Sequence, residues 1–135
     1  DYIVGNAGSD GITGGEGNDI LIGGAGLDFL IGGPGSNLVL TGSFNVASPT
    51  DAAFAVRAEW NSGRSFAERV DNLAGVGSGP RNNGDLFLTP GTTALDDSAI
   101  DLVLADQDED WILANLEVDL LDGTTASQEI TDLDV

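Results

Sequence analysis

Along the first forty residues, hydrophobic side chains return on a nine-residue beat: Ile3, Ile12, Leu21, Leu30 and Val39. Each stands in the middle of a three-residue segment, and glycine and polar residues dominate the six places between segments. That spacing predicts very short strands whose middle side chain points inward while its neighbours point out. One inward aliphatic per strand is a thin core, so no unit folds alone and stacking must close it. Beyond residue 45 the pattern changes. Ser48-Pro49-Thr50-Asp51 reads as a helix start, with a capping residue, proline at the first helical place and acid in the first turn. This helix is expected to run to about Asn61, to bury Phe54, Val56 and Trp60, and to end by Gly63. Ser65-Phe66-Ala67-Glu68 has the form of a capping box opening a second helix, with Val70 and Leu73 inward and a stop near Gly75. Asp51, Glu59, Glu68 and Asp71 read as a solvated face. Gly75 to Asp85 is a loop by composition, Leu86-Phe87-Leu88-Thr89 a strand and Pro90-Gly91 a turn.

The beat then returns without its glycines. Asp101, Asp110 and Asp119 are nine apart, and each is followed two places on by an aliphatic: Val103, Ile112 and Leu121. These read as degenerate turns that continue the stack, with Trp111 and Leu113 facing out onto the helices. The acid cluster Asp106-Asp108-Glu109-Asp110 reads as a solvated turn. The chain thus divides at residues 1–44 and 45–135, with helices about 49–61 and 65–73 and degenerate repeats about 97–122.

In the glycine-rich part, four copies run from Gly5, Gly14, Gly23 and Gly32, and Asp1-Tyr2-Ile3-Val4 supplies the end of an earlier one. The fourth place is Gly8, Gly17, Gly26 and Gly35; the sixth is Asp1, Asp10, Asp19, Asp28 and Asn37. This pattern resembles the RTX nonapeptide G-G-x-G-x-D-x-U-x, a calcium-binding repeat. The resemblance implies a mainly β fold, a right-handed parallel β-roll (a β-helix or solenoid) with short helices in a C-terminal capping segment. Two nonapeptides make one turn of such a roll, and ions sit between loops two copies apart. Carried over, Asp10 pairs with Asp28 on one edge, and Asp19 lies between Asp1 and Asn37 on the other. Those side chains, with carbonyls from Gly5, Gly8, Gly14, Gly15, Gly17, Gly23, Gly24, Gly26 and Gly33, are expected to hold two to three Ca2+ ions. The Asn37 site is expected to be weakest, since a neutral amide removes a charge. Calcium takes six to eight oxygens in flexible geometry, which carboxylates and turn carbonyls supply.

On such a roll one outer face carries Tyr2, Val4, Ile20, Ile22, Leu38 and Leu40, the other Gly11, Thr13, Phe29 and Ile31. Six apolar side chains in a row call for a cover, and the C-terminal half is expected to supply it. Arg69-Val70-Asp71-Asn72-Leu73, Leu95-Asp96-Asp97 and Asp110 to Leu116 also resemble C-terminal capping regions of large secreted RTX proteins.

Composition sharpens this picture. The 135 residues hold 23 acids against four arginines and no lysine, a net charge of −19. Such a chain repels itself when compact unless cations neutralise it, so metal binding is expected to act as folding energy. The charge argues against nucleic acid and anionic membrane as partners, because both need basic patches. With no Cys, Met or His, disulfides, the usual zinc sites and thiol or histidine catalysis are excluded too. No apolar run reaches membrane-spanning length, and a start in mid-repeat without Met points to a piece of a longer parent polypeptide. The expected function is non-enzymatic: a module of a secreted, extracellular or cell-surface bacterial protein that folds on meeting calcium, exported by a type I secretion apparatus. Ile130 to Val135 is compatible with the export signal. The alternative is a carbohydrate-binding or adhesive module, in which Tyr2, Phe29, Trp60 or Trp111 would stack on a glycan.

Overall fold

Each apolar triplet of the repeat forms a strand in the computed structural model, which describes residues 1–134. Val135, where the export-signal reading ends, lies outside the described residues. β1 (Tyr2–Ala7), β2 (Gly11–Thr13), β3 (Ile20–Ala25), β4 (Phe29–Ile31) and β5 (Leu38–Leu40) follow one another along the chain. They fall alternately into two sheets, so that β1, β3 and β5 pair parallel in one and β2 and β4 in the other. Partners are therefore two copies apart. Ile3 lies beside Leu21 and Leu21 beside Val39, while Ile12 lies beside Leu30.

The register resumes after a long interruption. β8 (Leu102–Leu104) pairs with β4, placing Val103 beside Leu30, and β9 (Trp111–Ala114) pairs with β5, placing Ile112 beside Val39. β10 (Leu120–Asp122) and β11 (Glu129–Asp132) add the last strands. The result is a five-stranded sheet in the order β1-β3-β5-β9-β11 and a four-stranded sheet in the order β10-β8-β4-β2. The degenerate repeats thus stack directly on the glycine-rich ones, although sixty residues of chain separate Leu40 from Asp101.

Two cores follow from the alternation of side chains along a strand. The inward aliphatics Ile12, Leu21, Leu30, Val39, Val103 and Ile112 pack together between the sheets, with Ile3 and Leu121 partly buried at the ends. The outward residues of the five-stranded sheet, Ile20, Ile22, Leu38, Leu40, Trp111 and Leu113, make the second core with residues of the interrupting segment. That segment holds β6 (Ser43–Phe44), α1 (Pro49–Trp60), α2 (Phe66–Ala74) and β7 (Ala94–Leu95), and β6 and β7 pair antiparallel. Val56 and Trp60 from α1 and Val70 and Leu73 from α2 cover the sheet, together with Leu88, Ala94 and Leu133. The expected cover is present, but it comes chiefly from the looped-out segment. Val4, near the uncovered edge, stays 40% exposed.

Trp60 anchors the cover. It is fully buried, its ring lies 6.3 Å from Trp111 and 6.0 Å from Phe66, and its Nε1 donates to Ser36 O at 2.9 Å. Arg69 is buried over its face at 4.9 Å and donates from a guanidinium nitrogen to Trp60 O at 2.7 Å. Both tryptophans are buried, so neither can stack on a sugar ring.

Several local expectations are corrected. Phe54 is 66% exposed, because α1 turns Ala52, Val56, Glu59 and Trp60 inward. Two residues of helix rotate a side chain by about 200°, so Phe54 and Val56 cannot share a face. Helix α1 runs to Trp60 with Asn61 as its cap, in line with the expected end near Asn61, and Gly63 lies beyond it. Ser48 makes no side-chain cap bond; its hydroxyl donates to Asp51 at 2.8 Å. Leu86 to Thr89 runs without strand pairing, although Leu88 N donates to Leu73 O at 2.7 Å. Glu59 is not on a solvated face. It is fully buried and accepts from Arg64 (3.1 Å), Asn72 (2.8 Å) and the Asn82 N–H (2.6 Å), tying both helices to the following loop. In α2 the capping box of Ser65 and Glu68 is formed, and Gly75 closes the helix at φ 81°.

Candidate metal centre

Between strands the repeat must turn in six residues, and the sixth place of each turn stands in a column along one edge of the stack. In every column the side chain of one turn accepts a bond from the backbone nitrogen of the turn before it. Asp28 Oδ1 accepts from Asp10 N (2.9 Å), Asp101 Oδ1 from Asp28 N (2.7 Å) and Asp119 Oδ1 from Asp101 N (2.9 Å). On the other edge Asp19 Oδ1 contacts the amino nitrogen of Asp1, Asn37 Oδ1 accepts from Asp19 N (3.0 Å), and Asp110 Oδ1 from Asn37 N (2.8 Å). The expected neighbours, Asp10 with Asp28 and Asp19 with Asp1 and Asn37, are therefore brought together. Asp1 takes part through its backbone, its nitrogen meeting Asp19 and its carbonyl accepting from Ile20 N at 2.9 Å, while its side chain is exposed.

The second carboxylate oxygen tells the aspartates apart from the rest. Oδ2 of Asp10, Asp19 and Asp28 is buried in each case and has no hydrogen-bond partner. Each of these oxygens lies against the first glycine of its own turn. A Cβ built on Gly5 would come within 2.6 Å of Asp10 Oδ2, one on Gly14 within 2.6 Å of Asp19 Oδ2, and one on Gly23 within 2.5 Å of Asp28 Oδ2. The same positions face a carbonyl of the next coil: Gly23 O, Gly32 O and Thr41 O respectively. Glycine is required at the first place because this cradle, bounded by a carboxylate and a carbonyl, leaves no room for a side chain. At the second and fourth places the turns stack backbone on backbone, with Gly24 on Asn6, Gly26 on Gly8, Gly33 on Gly15 and Gly35 on Gly17. The second place of the first copy is Asn6 at φ 78°, a conformation asparagine tolerates better than most residues.

The electrostatics are one-sided. All four arginines lie in the interrupting segment, at positions 57, 64, 69 and 81, so no basic side chain belongs to either column. Burial pushes the Asp28 carboxyl above its ordinary value; the Asp10 N–H pulls it down, and the charges of Asp10 and Asp97 raise it again. Burial likewise raises Asp101 to about 7 and Asp110 to about 6. Among the described residues no three acidic side chains converge on one point. An ion held here would take most of its ligands from turn carbonyls, with one carboxylate oxygen from each aspartate. Hard oxygen donors, buried negative charge and unpartnered acceptors suit a calcium-sized cation.

Two carboxylates missed as functional residues end the turn ladder. The fourth-place N–H donates to the coil above, Gly8 to Ala25 O (2.8 Å) and Gly17 to Pro34 O (2.9 Å). Where the glycine-rich turns stop, Gly26 N donates instead to Asp97 Oδ2 (2.6 Å) and Gly35 N to Asp108 Oδ2 (2.8 Å). Asp108 keeps its exposure, but Asp110 of the same acid cluster is buried, against the solvated reading. The signal in the sequence was only the nine-residue phase of Asp110; nothing local marks Asp97 as the acceptor for Gly26.

Residues 1–30 and 13–45 match the RTX calcium-binding nonapeptide repeat (4 copies). No curated protein and no solved structure matches the chain. Among the described residues no helix is long and apolar enough to cross a membrane.

Proposed function

Because residues 1–45 carry RTX calcium-binding nonapeptide repeats, structural rather than catalytic units, we propose that the chain is a module whose folding is driven by calcium outside the cell. The observation that carries this reading is the set of three buried, unpartnered oxygens, Oδ2 of Asp10, Asp19 and Asp28. Left bare, each is a desolvated acceptor facing other acceptors, a costly arrangement. In this reading the sheets wind as a right-handed parallel β-roll, supported by the strict alternation of strands between two sheets. Asp10 and Asp28, with carbonyls among Gly5, Gly8, Gly23, Gly24 and Gly26, serve one edge; Asp19, with Gly14, Gly15 and Gly17, serves the other. Calcium supplies positive charge that no side chain of the columns provides.

The segment after residue 44 acts as the cap. Its helices cover the apolar face, and Asp97 and Asp108 close the turn ladder. Sites of ~10⁻⁴–10⁻³ M affinity, usual for extracellular modules, are empty in a cytosol and filled outside it. Ligand at ~100 times its dissociation constant favours the folded state by about 2.7 kcal/mol per site. Such a switch suits a bacterial protein exported unfolded, through a type I apparatus, and folded on arrival. The test is circular dichroism of the whole chain in EDTA, in millimolar calcium and in millimolar magnesium. Order should depend on calcium alone, and Asp19→Ala should raise the calcium needed. Equal order in EDTA and calcium would refute the proposal.

A further inference from the structure

Asn37 occupies the place held by aspartate in every earlier copy, yet its side chain is not orphaned. Its Nδ2 donates to Gly33 O at 2.7 Å and to Gly35 O at 3.1 Å, within its own turn. The amide orientation is fixed from both ends, since Oδ1 must be the atom that accepts from Asp19 N at 3.0 Å. Nδ2 also stands where the other copies have the unpartnered oxygen. A Cβ on Gly32 would come within 2.7 Å of Asn37 Nδ2, just as one on Gly14 would come within 2.6 Å of Asp19 Oδ2. The column bond through Oδ1 is shared with Asp19 and Asp28. Only the second atom differs, an acceptor in three turns and a donor in the fourth.

We propose that the turn from Gly32 to Asn37 is closed by its own carboxamide and takes no cation: the Nδ2–H bonds to Gly33 O and Gly35 O do there what a metal ion does in the turns of Asp10, Asp19 and Asp28. This rests on the calcium reading of those three turns and alters its expected weakest site into none. The physical reason is that carbonyl oxygens crowded in a tight turn need positive charge in their midst, and two N–H donors supply enough partial charge without bringing a carboxylate that itself needs neutralising. Asn37 is fully buried and sits beneath Asp110, at the junction between glycine-rich and degenerate turns. A metal-free turn at that point lets the stack pass from calcium-dependent to calcium-independent coils without leaving buried acceptors bare.

The experiment compares wild type with Asn37→Asp in two readouts. Calcium stoichiometry by isothermal titration should rise by one ion in the variant, because an orphaned oxygen replaces a donor. In the wild type, measured in millimolar calcium, the Asn37 side-chain amide protons, assigned by their loss in the variant, should exchange with solvent at least tenfold more slowly than those of the exposed Asn61. Equal stoichiometry in two proteins that both bind calcium would overturn the inference. If the wild type bound no calcium, the calcium reading would fall, and the closure of the fourth turn would be decided by the amide protons: slow exchange sustains it, and exchange as fast as in Asn61 overturns it.

Discussion

Replacing Trp60 tests whether the looped-out segment is held to the stack by one anchor. The side chain is fully buried, packs on Trp111 and Phe66, lies under Arg69 and donates to Ser36 O. Removing a buried tryptophan ring costs ~3–5 kcal/mol. The carbonyl of Ser36, left without its donor, adds ~1–3 kcal/mol if water cannot reach it. Partial relaxation offsets some of this, so Trp60→Ala should lose about 4–6 kcal/mol, a large share of the ~5–15 kcal/mol typical of a domain. Trp60→Phe keeps most of the ring and loses the Nε1 bond, so about 1–2 kcal/mol is expected. Urea unfolding at saturating calcium, followed through the remaining Trp111, measures both. Urea is preferred because it adds no ions to compete for the columns. The midpoint should fall steeply for alanine and modestly for phenylalanine. A loss below about 1 kcal/mol for Trp60→Ala, or equal losses for the two variants, would show that the cover is held elsewhere.

Two further outcomes follow from the turns. Gly26 has φ 119°, and a Cβ there would overlap the Gly8 carbonyl; Gly26→Ala should therefore cost at least ~2 kcal/mol. Gly63, with open space around it, serves as the control, and Gly63→Ala should stay within ~1 kcal/mol of wild type; similar calcium midpoints in circular dichroism for both variants would contradict the stacked geometry. In EDTA, residual order should decline with rising pH. Asp101 is raised from 3.8 to about 7 and Asp110 from 3.8 to about 6, by burial first, against the pull of N–H bonds from Asp28 and Asn37. The folded state thus holds protons that the unfolded chain releases, and their contribution is lost as pH climbs from about 4 to about 7. Residual order that grows over that window would refute the assignment of these two acids as buried and unpaired with cations.

The repeat itself was legible in the sequence because its requirements are short-range. A strand three residues long, a turn six residues long and a first glycine without room for Cβ repeat every nine residues whatever surrounds them. Hence the inward aliphatics could be read from spacing, and the two columns followed once the repeat's resemblance to the RTX nonapeptide was carried over to these positions. The return of the phase at Asp101, Asp110 and Asp119 was legible for the same reason. What spacing could not show was which partner a side chain meets across the chain.

Glu59 looked like any surface acid of a helix until Arg64, Asn72 and Asn82 closed around it. Phe54 lost its expected burial because Val56 and Trp60, on the opposite side of the helix, reached the sheet first. Asp97 and Asp108 end the ladder for Gly26 and Gly35 from 71 and 73 residues away, a distance at which no local pattern survives. Sequence alone therefore determined the period, the strands and the oxygens placed at every turn. Only the tertiary structure decided which of those oxygens are left bare and which are satisfied, because that depends on the coil stacked above and not on the coil itself.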